Sequence, residues 1–79
     1  MSEHHLDAKG LLCPMPVIKT QNTINALASG DTLTVAATDP GVLHDIPAWC
    51  RVNGHRILRT REEDNVIEVV IEVCNTAPP

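Results

Sequence analysis

Two stretches restrict this chain more than any others. From Thr32 to Thr38, Leu33, Val35 and Ala37 point one way while Thr32, Thr34, Ala36 and Thr38 point the other. From Val66 to Val73, Ile67, Val69, Ile71 and Val73 share one side, opposite Glu68 and Glu72. A period of two marks β-strands, and strands with one apolar face belong to a sheet that is covered on one side only. Whatever covers that side has to come from the remaining residues.

Two helical patterns supply the cover. Pro14 to about Ala28 places Val17, Ile24, Leu27 and Ala28 on one face, and Ser29-Gly30-Asp31 ends it, with Gly30 suited to a left-handed C-cap. Asp39-Pro40-Gly41 reads as an N-cap carboxylate followed by proline at the first helical position. That second helix runs to about Val52, with Val42, Ile46, Trp49 and Cys50 on one face, and ends at Asn53-Gly54. Pro47 inside it predicts a kink or restart near Asp45.

His5 to Ala8 makes a short first strand, closed by Lys9-Gly10. His55 to Arg61 is a less regular one, because Ile57 and Leu58 are adjacent, and Glu63-Asp64-Asn65 turns it into the last strand. The order is βαβαββ. A right-handed crossover makes the first two strands parallel and a tight turn makes the last two antiparallel. The expected fold is α+β: a two-layer sandwich with a four-stranded mixed sheet and two helices on one face. Residues 1–79 form one domain, with its core over about 6–73 and a flexible tail at 74–79.

Composition narrows the function classes. Of the 79 residues 43% are hydrophobic, so the chain folds, and Trp49 is the one aromatic, so the core is aliphatic. A formal charge of −4 and no other aromatic to stack on bases argue against tight nucleic-acid binding. The start Met1-Ser2-Glu3-His4-His5 is polar, unlike a signal peptide, and no apolar run approaches the ~20 residues of a membrane span. Three scattered cysteines, Cys13, Cys50 and Cys74, fit neither a disulfide framework nor a zinc site. The expectation is a cytoplasmic protein, monomeric because its open sheet face is polar.

Cys13 stands apart. Pro14 pushes the residue before it toward extended geometry, which suits an N-cap, and Pro16 removes another donor from the first turn. In that register the Met15 N–H points at the Cys13 sulfur, and the positive helix end lowers the thiol pKa moderately. Lys9 and Lys19 are candidates to add positive potential, or are plain surface lysines. A reachable thiolate on a rigid helix start suits sulfur exchange with other proteins. No acid or His–Cys pair near in sequence suggests acyl transfer.

Leu6-Asp7-Ala8-Lys9-Gly10-Leu11-Leu12-Cys13-Pro14-Met15-Pro16 resembles the C-P-x-P signature of the TusA (SirA-like) sulfur-carrier family, as does Thr38-Asp39-Pro40 with Asp45-Ile46-Pro47-Ala48-Trp49-Cys50. The resemblance spans about Leu6 to Val73. It implies a fold like the C-terminal domain of translation initiation factor three, and a persulfide carried on Cys13 with no other cofactor and no metal. It also implies a sulfur-donor protein, either a cysteine desulfurase or a rhodanese, and a sulfur-acceptor protein of the DsrE or TusBCD-like kind. The pathways it opens are tRNA thiolation, molybdenum-cofactor supply and dissimilatory sulfur oxidation.

The other candidates have plainer readings. Cys50 lies on the apolar stripe and reads as a buried thiol. Cys74 reads as an exposed tail thiol, or as a second sulfur-binding or resolving cysteine. His4 and His5 point to opposite faces of a strand and so do not share a metal ion. Arg56, Arg59 and Arg61 make a small basic patch that is either a docking surface or a solvated strand face. Against the sulfurtransferase stand two alternatives: a non-catalytic interaction or regulatory module of the same fold, and a redox-sensing thiol.

Overall fold

The computed structural model describes residues 2–74, and the expected flexible tail lies outside the described residues apart from Cys74. The elements are β1 (Glu3–Ala8), α1 (Met15–Ile24), β2 (Thr32–Ala37), α2 (Val42–Asn53), β3 (Arg56–Glu63) and β4 (Val66–Glu72). They make the expected α+β fold: one four-stranded mixed sheet in the order β1-β2-β4-β3. β1 and β2 are parallel, and β4 is antiparallel to both β2 and β3.

Alternation decides which face is covered. Leu33, Val35 and Ala37 of β2 and Ile67, Val69 and Ile71 of β4 are buried, with Val73 beyond them. Ile24 of α1 and Val42, Ile46 and Cys50 of α2 close over that face and complete an aliphatic core. The opposite face carries Thr34, Glu68, Glu72 and the arginines of β3, so both helices lie on one side.

Several boundaries differ from the sequence expectation. β1 begins at Glu3 rather than His5, because the whole of Glu3–Ala8 pairs with Thr32–Ala37. α1 stops at Ile24 instead of Ala28, and its buried stripe is Pro16, Thr20 and Ile24, with Val17 and Leu27 only partly covered. Thr20 is accommodated there because its hydroxyl donates to the Pro16 carbonyl at 2.8 Å. Tight turns follow the helix, and the Ala28 N–H donates to Asp31 Oδ2 at 3.1 Å. Gly30 does take a positive φ of 95°, but in the turn before β2 rather than as the helix cap.

Asp31 is only 7% exposed, and it fastens the start of the chain to that turn. Besides Ala28 it accepts the Ser2 N–H at 2.9 Å, and it contacts His4 Nε2 at 3.2 Å. His5, next along, is exposed.

α2 runs unbroken through Pro47, so the expected kink or restart does not divide it, and Gly54 caps it in the left-handed region at φ 82°. β3 extends to Glu63, and its register shifts between Ile57 and Arg59. Leu58 is the extra residue, which is why two apolar residues stand side by side there without alternating. Asp64 and Asn65, with φ of 52° and 65°, form the two-residue turn into β4.

Candidate functional site

Cys13 lies between β1 and α1, where the chain passes close to the loop that follows β2. It does not act as the N-cap expected for it. The first i to i−4 bond of α1 runs from the Ile18 N–H to the Pro14 carbonyl at 3.1 Å, so Pro14 is the cap residue. The Met15 N–H donates to the Leu12 carbonyl at 2.9 Å and is not directed at the sulfur. The Cys13–Pro14 peptide bond is cis. Pro14 is exposed and Pro16 is buried under the helix.

The second loop supplies what the helix start does not. Asp39 spans both segments: its Oδ2 accepts the Cys13 N–H at 2.8 Å, and its Oδ1 accepts the Gly41 N–H at 2.9 Å. It therefore ties the cysteine loop to the start of α2, and Gly41 rather than Asp39 occupies the cap position of that helix. A β-carbon built on Gly41 would lie 3.3 Å from Cys13 Sγ, 3.3 Å from Asp39 Oδ1 and 3.6 Å from Asp45 Oδ2. Sulfur and both carboxylates thus surround one small space that a glycine leaves open.

This setting reverses the expected electrostatics. The Cys13 thiol is pushed up to about 12, first by desolvation, then by hydrogen bonding of the thiol to Asp45 and Asp39 and by repulsion of its anion by the same carboxylates. Asp39 in turn is held below the ordinary carboxyl range, chiefly by the Cys13 and Gly41 N–H groups that donate to it. The helix end does not lower the thiol, because its nearby donors are engaged elsewhere and the facing charges are negative. Lys9 and Lys19 are exposed, and neither is among the charges that act on the sulfur.

Around the half-buried Cys13, Leu12 is 75% exposed, and Met15 and Ile18 on the first turn of α1 are also exposed. Leu11 alone of the two leucines packs against the core. Exposed apolar residues therefore flank the cysteine in sequence, while carboxylates lie near its sulfur.

The remaining candidates fall elsewhere. Cys50 is fully buried, and burial pushes its thiol up to about 11. Cys74 is half-buried rather than exposed, with its N–H donating to His55 Nδ1 at 3.1 Å and its sulfur 3.6 Å from the Glu72 carbonyl. Trp49 stacks on His55 with ring centroids 5.3 Å apart. Arg56 pairs with Glu72 at 3.4 Å and Arg61 with Glu63, so acids already answer much of the basic strand. Among the described residues no group of three or more His, Cys, Asp or Glu side chains is placed to hold a metal ion. Nor is any helix among them long and apolar enough to cross a membrane.

Sequence reasoning missed the part played by Asp45 and gave Asp39 only a capping role. The signal available was Asp39 beside Pro40-Gly41, within the second segment of the family resemblance. Nothing local joined it to Cys13.

Residues 4–73 match the sequence model of the family described as "Sulfurtransferase TusA". The chain is 42% identical over 71 residues to "Putative sulfur carrier protein YrkI" of Bacillus subtilis, covering 90% of this chain and 95% of the relative. It is 37% identical over 70 residues to "Sulfur carrier protein TusA" of Allochromatium vinosum, covering 89% and 92% respectively. The crystal structure of a SirA-like protein from Desulfitobacterium hafniense superposes with a TM-score of 0.81 at 27% identity, covering 91% of this chain and 99% of that one.

Proposed function

The chain belongs to the TusA sulfurtransferase family, and from that membership we propose that it carries sulfane sulfur as a persulfide on Cys13, taking it from one protein and passing it to another. The observation that carries this reading is a half-buried free thiol at a loop junction, with Leu12, Met15 and Ile18 exposed close by in the sequence. Exposed apolar residues beside a reactive atom suit contact with a protein partner better than contact with a small polar substrate. Cys50 is sealed in the core, which leaves it no such role.

Loading balances without an oxidant. The Cys13 sulfur attacks the outer sulfur of a donor persulfide, the donor S–S bond breaks, and the proton of Cys13 passes to the departing donor thiolate. Release is the same exchange in reverse sense: an acceptor thiol attacks the outer sulfur, the S–S bond to Cys13 breaks, and the acceptor's proton passes to the departing Cys13 sulfur. The donor is of the cysteine desulfurase or rhodanese kind, and the acceptor is a thiol protein in tRNA thiolation, molybdenum-cofactor supply or sulfur oxidation.

The test is incubation with cysteine and a desulfurase, or with thiosulfate and a rhodanese, followed by intact mass. The expected result is a reducible gain of ~32 Da, one sulfur atom, that Cys13→Ser abolishes and Cys74→Ser leaves in place. A gain that survives Cys13→Ser overturns the assignment in favour of another cysteine such as Cys74, and no gain with either donor overturns the reading in favour of an interaction module.

A further inference from the structure

The backbone donors closest to Cys13 are turned away from its sulfur. Its own N–H and that of Gly41 both end on Asp39, at 2.8 and 2.9 Å. The Met15 N–H ends on the Leu12 carbonyl, and Pro14 and Pro16 have none to give. What faces the sulfur is acid: one point beside Gly41 lies 3.3 Å from Cys13 Sγ, 3.3 Å from Asp39 Oδ1 and 3.6 Å from Asp45 Oδ2. A cysteine at a helix start is ordinarily helped toward its anion. This one is built the other way round.

We propose that Asp39 and Asp45 are positioning residues of the sulfur site, which hold the Cys13 thiol protonated at rest and so keep it slow toward small molecules. The inference rests on the reading of Cys13 as the sulfur-bearing residue. Asp39 holds the loop, and both it and Asp45, which is exposed on the first turn of α2, act on the thiol through hydrogen bonding and charge. Both act on the thiol in the same direction. From the other elements beside the loop, Lys9 ahead of it and Lys19 on α1 are exposed and do not offset them, and His44 next to Asp45 is exposed as well.

The arrangement has a use in a carrier. A thiol that ionises poorly attacks free electrophiles slowly, and as a leaving group it gives up a bound outer sulfur slowly. Sulfur is then neither picked up from small persulfides nor lost to small thiols in solution at the rate of an ordinary cysteine.

The experiment is alkylation of Cys13 by iodoacetamide, followed by mass of the Cys13 peptide across pH 7 to 10, in wild type, Asp45→Asn, Asp39→Asn and Asp45→Glu. In this reaction the sulfur displaces iodide and gives up its proton, so the rate follows the thiolate. Removing one carboxylate charge lowers the thiol midpoint by ~1 pH unit. The thiolate fraction then rises about tenfold while its intrinsic nucleophilicity falls about threefold, a net gain of about threefold at each pH below the midpoint. Asp45→Asn and Asp39→Asn are each expected to show that gain, and Asp45→Glu the wild-type rate. An Asp45→Asn rate equal to or below wild type overturns the inference, as does an Asp45→Glu rate equal to that of Asp45→Asn. Should Asp39→Asn loosen the loop, the exposed Asp45 decides alone. Alkylation needs no sulfur donor, so this result and the persulfide result fail independently of one another.

Discussion

Replacing Gly41 by alanine separates the stability of the domain from the reactivity of its thiol. The backbone there, at φ −60° and ψ −21°, is helical and welcomes alanine. Reduced freedom of the unfolded chain would by itself stabilise the variant by ~0.4–1 kcal/mol. Against this, the new methyl lands 3.3 Å from Cys13 Sγ and 3.3 Å from Asp39 Oδ1, nearer than comfortable contact. Asp39 cannot readily yield, because its two oxygens are held by the Cys13 and Gly41 N–H groups at 2.8 and 2.9 Å. The sulfur has to turn aside instead. Crowding of this sort costs ~1–3 kcal/mol, so the net destabilisation is about 0–2.5 kcal/mol. For a domain of this size each kcal/mol moves Tm by ~4–8 °C, and the expected fall is below about 20 °C. Folded Gly41→Ala is expected to accept persulfide sulfur several-fold more slowly than wild type, because the methyl fills the space beside the sulfur. Thermal unfolding by circular dichroism and timed intact-mass loading, both on one preparation, provide the check. Wild-type loading kinetics in a variant whose Tm has dropped would refute the geometry proposed for the site.

Two further expectations concern the fold. Ile46 is fully buried at the centre of α2, so Ile46→Ala should cost ~2–5 kcal/mol and lower Tm by about 10 °C or more, and a smaller change would mean that the helix is not seated as described. Asp31 is held below its ordinary value of 3.8, first by the Ser2 N–H and then by the Ala28 N–H. A depressed carboxyl contributes stability above its unfolded value and loses it as pH falls through the folded one. Wild-type Tm should therefore decline between about pH 5 and 2, and Asp31→Asn should begin lower at neutral pH and decline less. Asp39 and Glu63, also depressed, keep some acid dependence in the variant. Parallel acid limbs in the two proteins would count against the Asp31 anchor.

The parts of the fold that could be read in advance are those written in local periodicity. β2 and β4 alternate without interruption, and both bury the predicted side. β3 resisted because the bulge at Leu58 shifts its register, and a bulge erases the very alternation that would announce it. The end of α1 was overrun because Leu27 and Ala28 continue a helical pattern, whereas the structure gives the Ala28 N–H to Asp31. For the site, the flanking prolines singled out Cys13, yet the thiol pKa was expected to move in the wrong direction. Helix-end reasoning counted the donors supplied by nearest neighbours in sequence. Burial of the sulfur, and after it Asp39 and Asp45, push the thiol the other way, and all of these arise only through the packing of the second βα unit beside the first.

The position of β4 bears on how the molecule is made. It follows the other three strands in sequence, yet it lies between β2 and β3 and is the neighbour through which β3 joins the sheet. A chain emerging in order from the ribosome can pair β1 with β2 early, but that pair has no third strand to support it until residues beyond Asn65 are available. During that interval Cys13 is already synthesised while the segments that bring carboxylates to it are not yet held in place. The surroundings of the thiol are thus complete only once the final strand has docked between β2 and β3.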